Sequence, residues 1–470
     1  MRRSCCIPAV VMGMTLGACS GAPVRPPDVP APANYTTGPV EVAALAPGAD
    51  MPRQWWTLFK SPALDDLVRR ALENSPTIAQ ATARLRQVQE ERVARSGAAW
   101  FPRVDARLSA NRIDIEPQAI GAGNLPIQMP LDLYLATVSV SYNLDIFGAT
   151  RHEMQALKAG VDYEQYQLEA ARLTLAANVV TAAIREASIR EQIAAVEKMV
   201  SIQENRLSIV EKLEQLGTAS SGDVAAQRLD LAEVRVLLPE LKRQLEQVRH
   251  RLAVYTGQAP GAAQLPEFRL ADIQLPEKLP LSLPAELARQ RPDIRAAEAV
   301  LQQAGSRVGV ATANLYPQIM LTATGGSIST SSGDLFGDGT MFSLLGASLT
   351  QPLFHGRELQ AKRRAAIAAY DQASAAYRQV VLQGLQNVAD VLRALEADAQ
   401  KVRERAVAAE NAQRLRDIVA GRYDAGGVSY YALLDAERRL QSATIDRIQA
   451  EADRYADCAA LLQALGGGWR

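Results

Sequence analysis

The sequence predicts a mainly α chain with membrane-type β-strands, arranged as two internal repeats. The first observation is an echo. Pro76-Thr77-Ile78, an Ala/Arg/Gln-rich run and Trp100-Phe101-Pro102 are answered by Pro292-Asp293-Ile294, a similar run and Leu315-Tyr316-Pro317. Phe147-Gly148 is matched by Phe354-His355-Gly356, and Ile209-Val210 leading to Gly217 by Ile418-Val419 leading to Gly426-Gly427. The offset stays near ~210 residues, as duplication of a half-chain unit requires. The second observation is a pair of proline-free helical stretches, 150–215 and 357–424, longer than globular helices run. The third is a change to two-residue hydrophobic alternation between the helical stretches. Such symmetry suits an assembly part, such as a tube wall, better than a pocket enzyme.

Composition narrows the class. The 470 residues carry 51 Lys+Arg against 51 Asp+Glu, so no basic excess suggests a nucleic acid partner. His152, His250 and His355 lie far apart, without metal-ligand spacing. Aromatics are only 5%, low for a thick core, and abundant alanine lets long helices approach closely.

Residues 1–18 read as a signal peptide. Arg2-Arg3 supply its positive start, and Cys5 to Ala18 an apolar stretch too short to span a bilayer. Leu16-Gly17-Ala18-Cys19 resembles a bacterial lipobox, which implies cleavage before Cys19 and its acylation. Ser20 follows where an aspartate would resemble an inner-membrane retention signal, so the cell outer membrane is the expected destination. An ordinary secretory leader with a chance cysteine is the alternative. Acyl chains contribute about 0.8 kcal/mol per buried methylene, so several of them anchor a protein stably. With Cys5 and Cys6 removed and Cys19 acylated, Cys458 stands alone on an Ala/Leu-rich face and reads as a small buried residue.

Residues 19–54, rich in Pro and Ala, read as an extended acylated tether, with order beginning at Trp55-Trp56. The first repeat covers 55–265. It opens with a short helix bearing Leu64, Leu67, Val68, Ala71 and Leu72 on one face. Helices follow over 76–99, 150–215 and 222–256, the last kinked by Pro239. A linker at 266–283 leads to the second repeat, 284–470, with helices over 284–314, 357–424 and 430–465. Each long run reaches about 100 Å at 1.5 Å per residue. From Ile367 through Tyr370, Ser374, Tyr377, Val381, Leu385, Val388, Leu392, Leu395, Ala399, Val402 and Ala406 the steps are near-heptad. That spacing calls for a partner helix along its whole length.

Between the helices, Val104, Ala106, Leu108 and Ala110 alternate with Arg103, Asp105, Arg107 and Ser109. Val138, Val140, Tyr142 and Leu144 alternate with Thr137, Ser139, Ser141 and Asn143. Ile319, Leu321 and Ala323, then Leu345, Ala347 and Leu349, repeat the pattern more weakly. Each half thus offers two strands, joined by loops near 111–132 and 325–341. Alternation over about 10 residues suits a membrane barrel, although a half-buried soluble strand alternates in the same way. Four strands cannot close a barrel, because the smallest single-chain examples use about eight and open edges in lipid are costly. Strands in the membrane therefore require further copies of the chain.

The mature chain resembles the outer membrane factor family, the TolC/OprM-like efflux channels, and most of all its acylated NodT-type lipoproteins. The likeness rests on the lipobox and on Trp55-Trp56 through Leu64-Asp65-Asp66-Leu67. It rests equally on Arg291-Pro292-Asp293-Ile294-Arg295-Ala296-Ala297-Glu298, on Ala313-Asn314-Leu315-Tyr316-Pro317, and on Gly421-Arg422-Tyr423 through Leu433-Leu434-Asp435-Ala436-Glu437-Arg438. The resemblance implies a homotrimer with a 12-stranded β-barrel continued by a long periplasmic α-helical barrel. It implies the exit duct of a tripartite pump, joined to a periplasmic adaptor (membrane fusion) protein and an inner-membrane transporter of RND or MFS type. The family's gate lies at the periplasmic tip. By position, Tyr423, Tyr431, Asp435 and Arg438 match it, and Gly217, Asp223 and Gly426 fall in turns where an adaptor would touch. Tyr431 and Asp435 share a helix face, so threefold symmetry would make each a ring. The alternative for Asp435 and Arg438 is a plain surface pair three residues apart. Gly426-Gly427 loosens the turn relative to the family, and Tyr431 is bulkier than the usual aliphatic residue.

Enzyme signatures are missing from the sequence: it has no phosphate loop, paired-histidine zinc motif or nucleophile elbow. Asp334 to Gly339 resembles half a calcium loop but has Leu345 where the bidentate acid belongs. No cofactor is expected beyond acyl lipid on Cys19. The main alternatives are a lipid-anchored coiled-coil scaffold and an exit duct for type I protein secretion.

Overall fold

The computed structural model describes residues 27, 32, 34–38, 45–48, 51–114, 130–276 and 278–468. The leader, Cys19 and most of the expected tether lie outside the described residues. A short strand β1 (Leu45–Pro47) and a 3-10 turn (Trp55–Phe59) lead into α1 (Pro62–Asn74) and α2 (Pro76–Trp100). Strands β2 (Arg103–Ile113) and β3 (Leu131–Leu144) precede α3 (Ala149–Gln215), α4 (Ser221–Arg235) and α5 (Leu237–Tyr255). After β4 (Leu279–Leu281) the order recurs: α6 (Pro284–Gln290), α7 (Pro292–Ala313), β5 (Gln318–Ser329), β6 (Met341–Thr350), α8 (Glu358–Asp424) and α9 (Tyr430–Ala464). The helices α3 and α8 have 67 residues each, about 100 Å at 1.5 Å per residue.

Prolines punctuate the helices. Ser75 before Pro76 and Arg291 before Pro292 are both extended, with ψ of 128° and 125°. A residue before proline is pushed out of the helical region, while the proline itself suits a first helical turn. The single helix expected over 284–314 is therefore two, α6 and α7. The break expected at Pro239 falls slightly upstream, at Val236, because Pro239 has no N–H to offer the Arg235 carbonyl.

Strands β2, β3, β5 and β6 form one antiparallel sheet in that order. Register sorts their side chains. Val104, Val140, Ala323 and Leu345 form one cross-strand row, and Leu144, Ile319 and Leu349 another. All point to one face, since alternate residues along a strand share a side. The other face carries rows such as Asp105, Ser139 and Thr324, and Arg103, Ser141 and Thr322. Each strand–helix junction carries an exposed aromatic residue: Phe101, Phe147, Tyr316 and Phe354. Phe147 and Tyr316 stack with centroids 5.0 Å apart. Among the described residues, no helix is long and apolar enough to cross a membrane.

The core lies midway along the long helices. Val179, Val180, Ile184 and Ile189 of α3, Val388 and Leu392 of α8, and Leu461 and Leu462 of α9 enclose Trp55, Phe59, Leu64 and Leu67. Trp56 donates its indole N–H to Asp65 at 2.8 Å, which ties the tryptophan pair to α1. One expectation is corrected here. Order does not begin at Trp55, because β1 pairs in parallel with β4 and Tyr35 donates to the Ser282 carbonyl at 3.0 Å. The linker at 266–283 packs against the helices, with Phe268, Leu270, Ile273 and Leu279 buried in the core. At the C-terminal end, Gly467 has φ +64°, and a Cβ there would meet the Leu173 side chain at 2.3 Å. Arg291 closes the same corner by donating to the Ala464 carbonyl at 2.7 Å.

In the near-heptad stripe of α8, Gly384 is buried and the expected Leu385 beside it is half-buried, while Tyr377, Val381, Val388, Leu392 and Leu395 are buried. One turn later the buried residue is Asp398, where the sequence pattern placed Ala399. Cys458 is buried as expected, its thiol pushed up to about 12 by desolvation.

Candidate functional site

Two helical hairpins, α3/α4 and α8/α9, turn at the end away from the sheet. Gly217 ends the first long helix at φ +76° and Gly426 the second at φ +71°, a left-handed conformation that glycine reaches without strain. Ser220 then caps α4 in a reciprocal box with Asp223. The Ser220 backbone N–H and hydroxyl hold the Asp223 carboxyl below its ordinary value. Ser429 caps α9, its hydroxyl accepting from the Ala432 N–H at 3.4 Å. The looser second turn is closed by Gly427 N–H donating to the Arg422 carbonyl at 2.8 Å.

The structure separates the four gate candidates. Tyr431 is 76% exposed, and Asp435, one turn along the same face, pairs with Arg439 at 2.8 Å. Tyr423 instead packs inward, its ring 5.8 Å from that of Tyr430. Arg438 points to the other hairpin, where it reaches Asp230 at 3.0 Å and Glu233 at 2.8 Å. The Asp435–Arg438 surface pair does not form in the described chain, since Arg439 lies four residues from Asp435 and takes it.

Behind Arg438 is a polar network that sequence reasoning missed. Gln227 donates to Gln203 at 2.6 Å, and Gln203 donates to Glu437 at 2.9 Å. Arg206 is paired with Glu437. Burial pushes the Glu437 and Asp230 carboxyls up, against the pull of Arg206 and Arg438 respectively. The Tyr430 phenol is raised mainly by burial. One signal was available: Val224, Gln227, Leu231 and Val234 step along α4 as a buried stripe with a glutamine inside it. A buried amide must find a partner, so Gln227 marks a polar contact with another helix.

The family description "outer membrane efflux protein" matches residues 67–258 and 283–467, most of both halves. The chain belongs to this family. The pyoverdine export outer membrane protein OpmQ of Pseudomonas aeruginosa is 31% identical, over 97% of this chain and 95% of its own. The toluene efflux pump outer membrane protein TtgF of Pseudomonas putida is 29% identical, over 98% and 96%. The structure of the outer-membrane channel OprN superimposes with a TM-score of 0.83, covering 95% of this chain and 99% of that one at 27% identity. The fold expected above, a trimeric β-barrel continued by a helical barrel, is the fold of these channels. This efflux protein is thus an outer membrane channel, and its long helices extend into the periplasm.

Proposed function

We propose that three copies form one passive exit duct, each giving four strands to a barrel of about 12. One observation carries this reading. The apolar-faced sheet ends in β2 and β6, which among the described residues pair only with β3 and β5. In lipid the outer edges would leave N–H and C=O groups unsatisfied at several kcal/mol each. Joining β6 of one copy to β2 of the next removes every edge. The polar face then lines a lumen, and the junction aromatics lie at the level of the lipid headgroups.

The tip is read as the gate. Tyr431 and Asp435 project from the hairpin face, so three copies would ring the axis with phenols and carboxylates. Carboxylate rings favour cations. Arg438, bonded to Asp230 and Glu233, holds the second hairpin against the first and keeps the aperture narrow. The turns at Gly217, Asp223 and Gly426 are the surface offered to a periplasmic adaptor, which connects the duct to an inner-membrane transporter of RND or MFS type. Acylation of Cys19 anchors the N-terminus in outer-membrane lipid. No chemistry is required of the duct itself, and small organic molecules are its cargo. One relative is named for pyoverdine and another for toluene, which favours cargo choice by the transporter. Ion conductance of the purified protein in planar bilayers tests the reading. Steps that are cation-selective, and less so in Asp435→Asn, are expected; a non-conducting protein overturns the duct, and unchanged selectivity removes Asp435 from the constriction.

A further inference from the structure

Between the two hairpins, just above the turns, lies a cleft of about 290 Å³ beside the tie from Arg438 to Asp230 and Glu233. Met199 and Ile202 of α3, Val234 of α4, Leu237 of α5, and Leu434 and Leu440 of α9 make its apolar walls. Asp230, Glu233, Glu437, Arg416 and Arg438 make its polar side. Asp230 is only 5% exposed, and while its Oδ1 accepts from Arg438, its Oδ2 accepts nothing. The buried Oε1 of Gln227 and the phenol oxygen of Tyr430, on residues behind the lining, are likewise without a partner among the described residues. A buried polar atom left unpaired costs about 1–3 kcal/mol, so such atoms mark where a bonding group belongs. Of the three, Asp230 alone lines the cleft, and its free carboxylate oxygen accepts hydrogen bonds. The fitting occupant is therefore a donor with positive charge, and the walls ask for an apolar body.

We propose that this cleft binds a small organic cation, an amine head on an apolar body, with the ammonium received by Asp230 Oδ2. Arg438 stays on Oδ1. The bound molecule touches α3 and α4 on one side and α9 on the other, so it fastens the hairpins together and favours the closed tip. That effect on opening rests on the gate reading; the binding site does not. Water in the cleft would also satisfy Asp230 Oδ2, but it gives no reason to prefer an amine over an alcohol of the same shape.

The test titrates the detergent-solubilised full chain with phenethylamine and with its neutral counterpart 2-phenylethanol, by calorimetry or ligand-observed NMR. Saturable binding of one amine per chain is expected, tighter than the alcohol by about tenfold or more, the worth of a charge-assisted bond. Asp230→Asn should bring the amine down to the level of the alcohol, and Val234→Trp, which fills the cleft without touching its charges, should weaken both. No saturable binding, equal affinity for amine and alcohol, or amine binding that survives Val234→Trp overturns the site. Conductance is read separately. A fall in open probability with phenethylamine supports the fastening role, and unchanged conductance with intact binding overturns that role alone.

Discussion

Replacing Arg438 by alanine cuts the link from α9 to α4. Arg438 reaches the Asp230 carboxylate at 3.0 Å, and the Asp230 side chain is 7% exposed. A bond to a charged, buried group is worth about 1.5–3 kcal/mol. The limb to Glu233 joins side chains 58% and 52% exposed, so it adds well under about 1 kcal/mol. Arg438 is itself largely solvated, and the stranded Asp230 can take a proton, so the loss is capped near about 1.5 kcal/mol per chain. If three copies open together the closed state loses up to about 4.5 kcal/mol, as much as roughly two thousandfold in the ratio of open to closed. Single-channel recording in planar bilayers reads this directly. R438A should raise open probability strongly, and Arg438→Lys, which keeps the charge, should restore much of the closure. Equal open probability in R438A and the parent, with folding and assembly intact, would refute the tie.

Further outcomes follow from other sites. Between α8 and α9, burial and the facing Asp457 push the Asp398 carboxyl up to about 6; Lys401 pulls the other way, and Asp453 adds to the rise. Arg454 and Cys458 complete that surrounding. A raised folded value means the stabilising contribution is full below the unfolded value of about 3.9 and is lost as pH rises through about 6. The melting temperature should therefore fall between pH 5 and pH 7.5 in the parent and stay flatter in Asp398→Asn; the same slope in both would remove the pair as its source. Gly467→Ala should lower the melting temperature by an amount matching about 1–2 kcal/mol, because φ is +64° and the added Cβ must displace the Leu173 side chain. Leu345→Arg, on the apolar sheet face and 85% exposed in a single chain, should cost about 2–4 kcal/mol and reduce the yield of assembled protein in outer-membrane fractions. Thr324→Lys, on the opposite face, should assemble normally.

Local signals were legible in the sequence and non-local ones were not. The two-residue alternation in 103–110 and 137–144 gave the faces of β2 and β3, because side-chain direction in a strand depends on position alone. The echoes ending at Gly217 and Gly426 mark turns where the backbone needs positive φ. Trp55-Trp56 was recognisable as a motif, but its reason, the bond from Trp56 to Asp65, appears only in the fold. Pro292 divided a helix that apolar periodicity alone runs together. The pairing of β1 with β4 joins segments more than 200 residues apart, and three residues of strand carry too little pattern to announce it. At the tip, the position of Arg438 was legible but its partner was not. Four residues along α9 decide that Asp435 meets Arg439, whereas only the packing of two hairpins brings Arg438 to Asp230.

The dependence of a pore on neighbouring copies is tested most directly by native mass spectrometry of the conducting, detergent-extracted particle. Three chains per particle is the expected mass, with no stable species of one or two. A single chain that holds its fold and conducts ions, or a conducting particle of two chains, would contradict the account.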